Sequence, residues 1–238
     1  MSITHNYIES WKFPFFNGAK REECALSIAS MDGEMNPLEK LSNKEMEKWS
    51  SFSLEKRKRQ YYLGRITTKE ALSKFTDELV FRDISVLNKE LGCPFIEGSR
   101  YSTTITHTNE VVASLVFEKK FSVGIDIEDM RENAIKALKF SVSNNEQISN
   151  NLKDLTVAWT LKESLSKALK CGFHLSFEEF ELHLFSRNDN VFLCSYTKHP
   201  EFKGIALVDN NKSFAIAYPS EFEVFSFFDL NTWEKIFL

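Results

Sequence analysis

The stretch Val123-Gly124-Ile125-Asp126-Ile127-Glu128 alternates apolar and acidic side chains with the period of a β-strand. On such a strand Asp126 and Glu128 lie on one face and the apolar residues lie on the other. Two neighbouring carboxylates repel each other unless a cation lies between them, and oxygen ligands favour Mg²⁺. A solvated strand edge with two surface acids is the commoner origin of this spacing, so the stretch alone does not establish a metal site.

A second stretch, Trp159-Thr160-Leu161-Lys162-Glu163-Ser164-Leu165-Ser166-Lys167, has the spacing of a helix. Trp159, Glu163 and Lys167 follow one another at intervals of four residues and share one helical face. Glu163 is therefore a candidate third carboxylate, and Lys167 is a candidate contact for an anion bound to the metal. The simpler interpretation is a surface Glu–Lys pair that stabilises the helix by about 0.3–0.5 kcal/mol.

A histidine lies between two hydroxyl residues in Thr106-His107-Thr108, within a predicted strand. A protonated histidine in this setting can bind a phosphate. A histidine that is simply hydrogen-bonded within a sheet is the more common case, so His107 is a phosphate-binding candidate only in combination with other features.

Basic residues are concentrated in one region of an otherwise acidic chain of net charge −4. Between Lys40 and Lys74 there are ten Lys or Arg against four Glu, which indicates one anionic ligand or partner surface. Four of these cations are consecutive, at 56–59, and spread around a helix, so some must be solvated. Nucleic-acid binding is a competing interpretation, but the chain is acidic overall and shows no recognised nucleic-acid module.

The hydrophobic periodicity predicts helices followed by strands twice, on either side of residue 119. This order predicts an α+β fold of two lobes, residues 1–118 and 119–238. The halves show no marked sequence identity, so a duplication is only hinted at. The predicted helices are 42–52, 54–80, 135–140 and 146–172, the last ended by Gly172, and the predicted strands are 25–31, 102–117 with a break near 109–110, 121–127, 177–185, 191–196, 202–208 and 213–218.

Composition and targeting signals predict a cytoplasmic protein with no membrane partner. No apolar run approaches the roughly 20 residues needed to span a bilayer, and the first residues lack the pattern of a signal peptide. The four cysteines are scattered, without a Cys-x-x-Cys pair, and are expected to be thiols rather than disulfides or zinc ligands.

In this order, the two acidic stretches resemble the Sfp-type 4′-phosphopantetheinyl transferases. The family pattern is a Gly-x-Asp-x-Glu strand followed by a helix with Trp-x-x-Lys-Glu-Ser/Ala-x-x-Lys, matched here at 124–128 and 159–167. Weaker similarities lie at 63–65, 92–94, 105–108, 140–146 and 173–182. Cys93 replaces a frequent lysine, and the gap between the two motifs is shorter than in many relatives, in a region that helps to form the carrier-protein surface in such enzymes.

The resemblance implies two similar, pseudo-symmetric α+β lobes in one chain, with the active site in the cleft between them. It implies that Asp126, Glu128 and Glu163 bind Mg²⁺, or alternatively Mn²⁺. Glu163 and Lys167 would be the catalytic residues. The remaining contacts to coenzyme A would come from His107 at the 3′-phosphate and from Thr106, Lys162, Lys167, Lys48 and Arg65.

The implied reaction transfers phosphopantetheine from coenzyme A to a serine of an apo acyl or peptidyl carrier protein and releases adenosine 3′,5′-bisphosphate. Such enzymes serve fatty-acid, polyketide or nonribosomal peptide biosynthesis, and the sequence does not indicate which. A monomer is expected, because both lobes are in one chain, and no nucleic-acid partner is expected. The alternative is a non-catalytic module that only binds coenzyme A.

Overall fold

The computed structural model describes residues 8–90, 92–171, 175–209 and 211–223. The chain forms two compact units. Unit 1 comprises Met1–Pro14 and Glu22–Lys119, and unit 2 comprises Phe15–Arg21 and Lys120–Leu238. Each unit combines helices with an antiparallel sheet, which confirms the predicted α+β fold class. None of the helices in these described ranges has the length and apolar character needed to cross a bilayer.

The six-stranded sheet, whose residues belong to unit 1 except at the end of β1 and the start of β2, has the strand order β1-β2-β6-β5-β4-β3. They are β1 (Ile8–Asn17), β2 (Lys20–Ser30), β3 (Val86–Asn88), β4 (Pro94–Ile96), β5 (Tyr101–His107) and β6 (Val111–Glu118). The helices are α1 (Pro37–Lys40), α2 (Asn43–Ser50) and α3 (Glu55–Leu72), and α3 packs on β5 and β6. The sequence predicted that α3 continues to residue 80. It ends earlier, where the Ser73 hydroxyl donates to the Glu70 carbonyl and a short 3₁₀ turn follows.

The sheet of unit 2 has five strands in the order β7-β11-β10-β9-β8. They are β7 (Gly124–Asp129), β8 (Leu182–Asn188), β9 (Val191–Tyr196), β10 (Phe202–Val208) and β11 (Lys212–Pro219). The helices are α4 (Ile135–Phe140) and α5 (Leu152–Ala168). α5 packs on β7, β10 and β11 over a core that includes Leu161, Leu165, Phe180, Phe192 and Tyr196.

Both ends of α5 differ from the prediction of a helix over 146–172. The helix begins at Leu152 because the Asn151 side chain accepts from the Asp154 backbone N–H and caps it. It ends at Ala168 in a Schellman motif, in which Lys170 has a φ of 57° and the Cys171 N–H donates to the Ser166 carbonyl. Gly172, predicted as the cap, lies outside the described residues.

The two units repeat one topology. In unit 1 the strands β2-β6-β5-β4-β3 are neighbours in that order, and in unit 2 the strands β7-β11-β10-β9-β8 follow the same path. The helices α3 and α5 occupy equivalent places and end in similar segments, Thr67-Thr68-Lys69-Glu70-Ala71-Leu72-Ser73-Lys74 and Thr160-Leu161-Lys162-Glu163-Ser164-Leu165-Ser166-Lys167. These segments are identical at six of eight positions. The chain thus contains an internal repeat, and the expectation that the halves lack marked identity is wrong for this segment.

Candidate functional site

The contact between β7 and α5 depends on the absence of a side chain at Gly124. A Cβ at this position would lie 2.0 Å from the Ser164 carbonyl oxygen and 2.5 Å from the Ala168 nitrogen. Both atoms belong to the backbone of α5, so they cannot move aside easily. The glycine of the strand motif therefore lets the strand lie directly on the helix, which brings the side chains that follow it close to the motif residues of α5.

Asp126 and Lys167 form the central ion pair of this site. The Lys167 Nζ donates to Asp126 Oδ1 at 2.5 Å. The Asp126 side chain is 4% exposed and the Lys167 side chain is 25% exposed, so the ammonium is partly accessible while the carboxylate is buried. The pair links the middle of β7 to the last turn of α5.

Glu128 and Glu163 complete a group of three carboxylates. The Trp159 Nε1–H donates to Glu128 Oε1 at 3.3 Å. Burial first, and the neighbouring charge of Asp126 second, raise the pKa of Glu128 to about 7. The same two causes, in the same order, raise the pKa of Glu163 to about 7. The structure therefore brings the predicted residues Asp126, Glu128, Glu163 and Lys167 within electrostatic reach of one another.

The chemistry of this donor set fits a hard divalent cation. Among the described residues, no three or more His, Cys, Asp or Glu side chains are already drawn together as a metal cluster. The three carboxylates nevertheless supply oxygen ligands, and their mutual repulsion is what a divalent cation would relieve. The residues that would hold Mg²⁺ are Asp126, Glu128 and Glu163.

Lys162 does not join this group. Its Nζ donates to Glu146 Oε2 at 2.7 Å and to the Ser141 carbonyl at 2.6 Å, and the residue is 1% exposed. Burial lowers the pKa of Lys162, while Glu146 acts in the opposite direction. The ammonium has no access to a ligand, so the prediction that Lys162 binds coenzyme A is corrected to an internal ion-pair role.

Unit 1 contains a cavity of about 670 Å³ with a basic and aromatic lining. The structure brings Lys48, Arg65 and His107, three of the predicted coenzyme A contacts, to this cavity. Thr106 is 4% exposed and does not line the cavity, because alternation in β5 turns it to the face opposite His107. Thr106 therefore does not join Lys48, Arg65 and His107 at this cavity.

Arg65 is held firmly at the cavity wall. Its Nε donates to the Val86 carbonyl at 3.1 Å, its Nη2 donates to Asn88 Oδ1, and its guanidinium lies 3.7 Å from the centroid of the Tyr61 ring. Burial lowers the pKa of Arg65, and Tyr61 opposes this effect. A guanidinium fixed in this way presents its charge in one orientation.

The sequence interpretation missed Arg57 and Tyr61, which also line the cavity. The signal was available: 57, 61 and 65 are four residues apart on α3 and share one face, as do 159, 163 and 167 on α5. Two other cations of the basic run are bound to unit 1 itself. Lys56 donates to Asn109 Oδ1, and Arg59 donates to the carbonyls of Met31 and Gly33.

The repeated unit lacks the strand carboxylates. β6 and β11 each have eight residues, and matching them from their first residues places Ser27 at the position of Asp126 and Ala29 at the position of Glu128. The helix of unit 1 keeps Glu70 at the position of Glu163. The complete carboxylate set therefore occurs in unit 2 and not in unit 1.

Known proteins resemble this chain in the part that contains the acidic site. Residues 122–219, from two residues before β7 to the end of β11, match the 4′-phosphopantetheinyl transferase superfamily. The holo-[acyl-carrier-protein] synthase of Staphylococcus carnosus is 40% identical over 87 residues, which are 34% of this chain and 74% of that protein. The holo-[acyl-carrier-protein] synthase of Staphylococcus aureus is 37% identical over 87 residues, which are 34% of this chain and 73% of that protein.

The chain belongs to the 4′-phosphopantetheinyl transferase superfamily.

Proposed function

We propose that this protein is an Sfp-type 4′-phosphopantetheinyl transferase that moves phosphopantetheine from coenzyme A to a serine of an apo acyl or peptidyl carrier protein. The observation that carries the proposal is the grouping of Asp126, Glu128 and Glu163 around Lys167. The Sfp-type assignment is supported by the internal repeat, since the superfamily match covers residues 122–219, which belong to unit 2, whereas this chain contains two copies of the topology.

Asp126, Glu128 and Glu163 would hold Mg²⁺, and Mn²⁺ is the alternative ion. When bound, the ion supplies positive charge to the pyrophosphate of coenzyme A. Lys167 lies beside these carboxylates with a partly exposed ammonium. It would donate to a phosphate oxygen and stabilise the charge that develops on the leaving phosphate.

Glu163 is the candidate general base. The serine oxygen of the carrier forms a bond to the β-phosphorus while the bond from that phosphorus to the bridging oxygen breaks, and adenosine 3′,5′-bisphosphate leaves. The serine proton passes to Glu163 or to a water that Glu163 orients.

The cavity of unit 1 would bind the adenosine 3′-phosphate end of coenzyme A. Lys48, Arg65 and His107 provide positive charge or hydrogen-bond donors for a phosphate group. Arg57 adds a further cation to the cavity lining. Tyr61 offers a ring for stacking on the same wall. A protonated His107 would pair with the doubly charged 3′-phosphate.

A carrier protein would dock on α4, which follows the acidic strand. Phe140 is 84% exposed at the end of this helix, and Lys136 and Lys139 lie beside it in exposed positions. An exposed aromatic residue between cations suits a partner that presents acidic side chains around an apolar patch.

Two other functions are tested by the same experiment. A module that only binds coenzyme A would use the cavity of unit 1 but leave a carrier protein unmodified. A nucleic-acid-binding protein would use Lys56 to Arg59, although two of those cations are already bound within unit 1. The protein should be incubated with coenzyme A, Mg²⁺ and an apo carrier protein, and the carrier analysed by mass spectrometry.

The proposal predicts that the carrier gains one phosphopantetheine group, and that excess chelator prevents the gain. Asp126→Ala should abolish the transfer while the circular dichroism spectrum stays native. Transfer that is equally fast in chelator, or in the Asp126→Ala variant, would refute the metal assignment. A protein that binds coenzyme A but transfers nothing would establish the binding-module alternative.

A further inference from the structure

Within the part of the chain that the structure describes, each unit contains one buried Lys–Glu ion pair whose role lies outside the chemistry described above. In unit 1 the Lys69 Nζ lies 2.5 Å from Glu45 Oε2, and both side chains are 0% exposed. In unit 2 the Lys162 Nζ lies 2.7 Å from Glu146 Oε2, and the side chains are 1% and 0% exposed. Lys69 and Lys162 occupy the same position of the repeated helical segment.

The unit 1 pair joins three elements through hydrogen bonds. Glu45 Oε2 accepts from the Ser42 backbone N–H at 2.8 Å, and Glu45 Oε1 accepts from the N–H of Val86, the first residue of β3, at 2.7 Å. Lys69 also donates to the Lys40 carbonyl at 3.0 Å. The pair therefore ties α3 to the turn before α2 and to the start of β3.

The unit 2 pair repeats these four bonds, whereas a fifth bond of unit 1, from Lys69 to the Phe81 carbonyl at 2.8 Å, has no equivalent among the described bonds of Lys162. Glu146 Oε2 accepts from the Ser143 backbone N–H at 2.7 Å, and Glu146 Oε1 accepts from the N–H of Leu182, the first residue of β8, at 2.9 Å. Lys162 also donates to the carbonyl of Ser141, two residues before Ser143. In both units the glutamate lies three residues after the serine whose N–H it accepts.

Each pair lies directly beside a residue proposed to bind a ligand. Lys162 precedes Glu163 in α5. The rotation of the helix about its axis that lets Lys162 bond to Glu146 therefore also sets the direction in which Glu163 points. Val86 donates its N–H to Glu45 and accepts at its carbonyl from Arg65, so the unit 1 pair and Arg65 hold the same peptide segment.

A buried ion pair is a costly source of stability, because the desolvation of both charges offsets most of their attraction. Its bonds are directional, however, and fix helix rotation and strand position more narrowly than apolar packing does. The same four bonds around each pair indicate orientation rather than stability as their contribution.

We propose that the two pairs are positioning devices, one in each unit. Lys162 and Glu146 orient α5 so that Glu163 and Lys167 face β7, and Lys69 and Glu45 orient the segment that holds Arg65 at the cavity. This inference rests on the proposed function, since it concerns the metal and nucleotide sites of a phosphopantetheinyl transferase.

The repeat supplies a matched test in the full-length protein. Lys69→Met removes the ion pair of unit 1, and Lys162→Met removes the equivalent ion pair of unit 2. The affinity for Mn²⁺ is measured by electron paramagnetic resonance in the absence of nucleotide. The affinity for adenosine 3′,5′-bisphosphate is measured by calorimetry in the presence of a chelator. Lys162→Met should weaken Mn²⁺ binding about 10–100-fold, as loss of a residue that orients a metal ligand does, and leave the nucleotide affinity at the wild-type value. Lys69→Met should weaken the binding of adenosine 3′,5′-bisphosphate and leave the Mn²⁺ affinity at the wild-type value.

Circular dichroism at the assay temperature establishes that each variant is folded. If a Met variant does not fold, Glu146→Asp and Glu45→Asp give the same comparison, because they keep both charges and shorten one side chain. The inference would be overturned if the folded variant of Lys162 or Glu146 bound Mn²⁺ with wild-type affinity. It would also be overturned if the variants of both units weakened the binding of Mn²⁺ and of the nucleotide equally. A wild-type protein that binds neither ligand would instead refute the proposed function.

Discussion

Gly124 lies so close to Ser164 that a Cβ at position 124 would approach the Ser164 carbonyl oxygen to 2.0 Å. This contact lets β7 lie against the backbone of α5 and carries Asp126 and Glu128 to the residues that complete the acidic site. The requirement for glycine is steric, since position 124 has no positive φ.

Gly124→Ala should therefore destabilise unit 2 and damage the acidic site together. Overpacking of this kind typically costs about 1–3 kcal/mol in the free energy of unfolding. Gly64→Ala is the matched control, because its Cβ would meet only the Ile105 side chain at 3.2 Å, and alanine favours a helix. Urea unfolding followed by circular dichroism measures both variants. Equal stability of Gly124→Ala and wild type would contradict the contact.

Lys167→Ala should lower the rate of transfer by about 10²–10³-fold, as loss of a single group that stabilises transition-state charge does. The reason is that the ammonium lies beside Asp126 and is partly exposed toward a ligand. Lys153→Ala, on the same helix but bonded to Asn190, is the control and should keep the wild-type rate. Steady-state kinetics with varied coenzyme A separates kcat from KM, and an unchanged kcat/KM in Lys167→Ala would remove Lys167 from the mechanism.

Metal affinity should depend on pH near neutrality. The pKa values of Glu128 and Glu163 are raised to about 7, so below this pH protons occupy the carboxylates that the ion needs. Mn²⁺ affinity should therefore fall as the pH drops from about 8 to about 6, with the release of up to about two protons on binding, and level off at higher pH. Calorimetry in buffers of different ionisation enthalpy measures both quantities. An affinity that is constant across this range would show that the carboxylates are not the ligands.

Phe140→Ser should impair the use of the carrier protein without harming the fold. The side chain is 84% exposed, so little packing is lost within unit 2. We expect KM for the carrier to rise about tenfold, the effect of removing an interface anchor, with the affinity for coenzyme A unchanged. Leu193→Ser, at an exposed apolar residue of β9, is the control. If both variants behave alike, α4 is not the docking surface.

The local pattern of the sequence predicted much of the fold and the acidic site. The strands 191–196 and 202–208 and the helix 135–140 have the predicted bounds, because periodicity and flanking turns mark them clearly. The common face of Trp159, Glu163 and Lys167 also follows from helical spacing alone. Helix ends were less predictable, since one side chain, such as Asn151 at the start of α5, can fix them through a single hydrogen bond.

Features that depend on partners far along the chain could not be predicted in this way. The burial of Lys162 depends on Glu146, which lies on a turn before the helix. The repeat was hidden because Ser27 and Ala29 stand where unit 2 has Asp126 and Glu128, and because the identity between the units is concentrated in short segments.

Glu163 is proposed to hold the metal ion and to receive the serine proton, directly or through a water that it orients. The most direct test is the single-turnover rate of carrier modification, followed by mass spectrometry with saturating coenzyme A and Mg²⁺, for wild type and Glu163→Ala. We expect complete conversion by wild type and no detectable phosphopantetheine on the carrier with Glu163→Ala, whose circular dichroism spectrum stays native. Conversion by a folded Glu163→Ala variant at the wild-type rate would contradict this proposal.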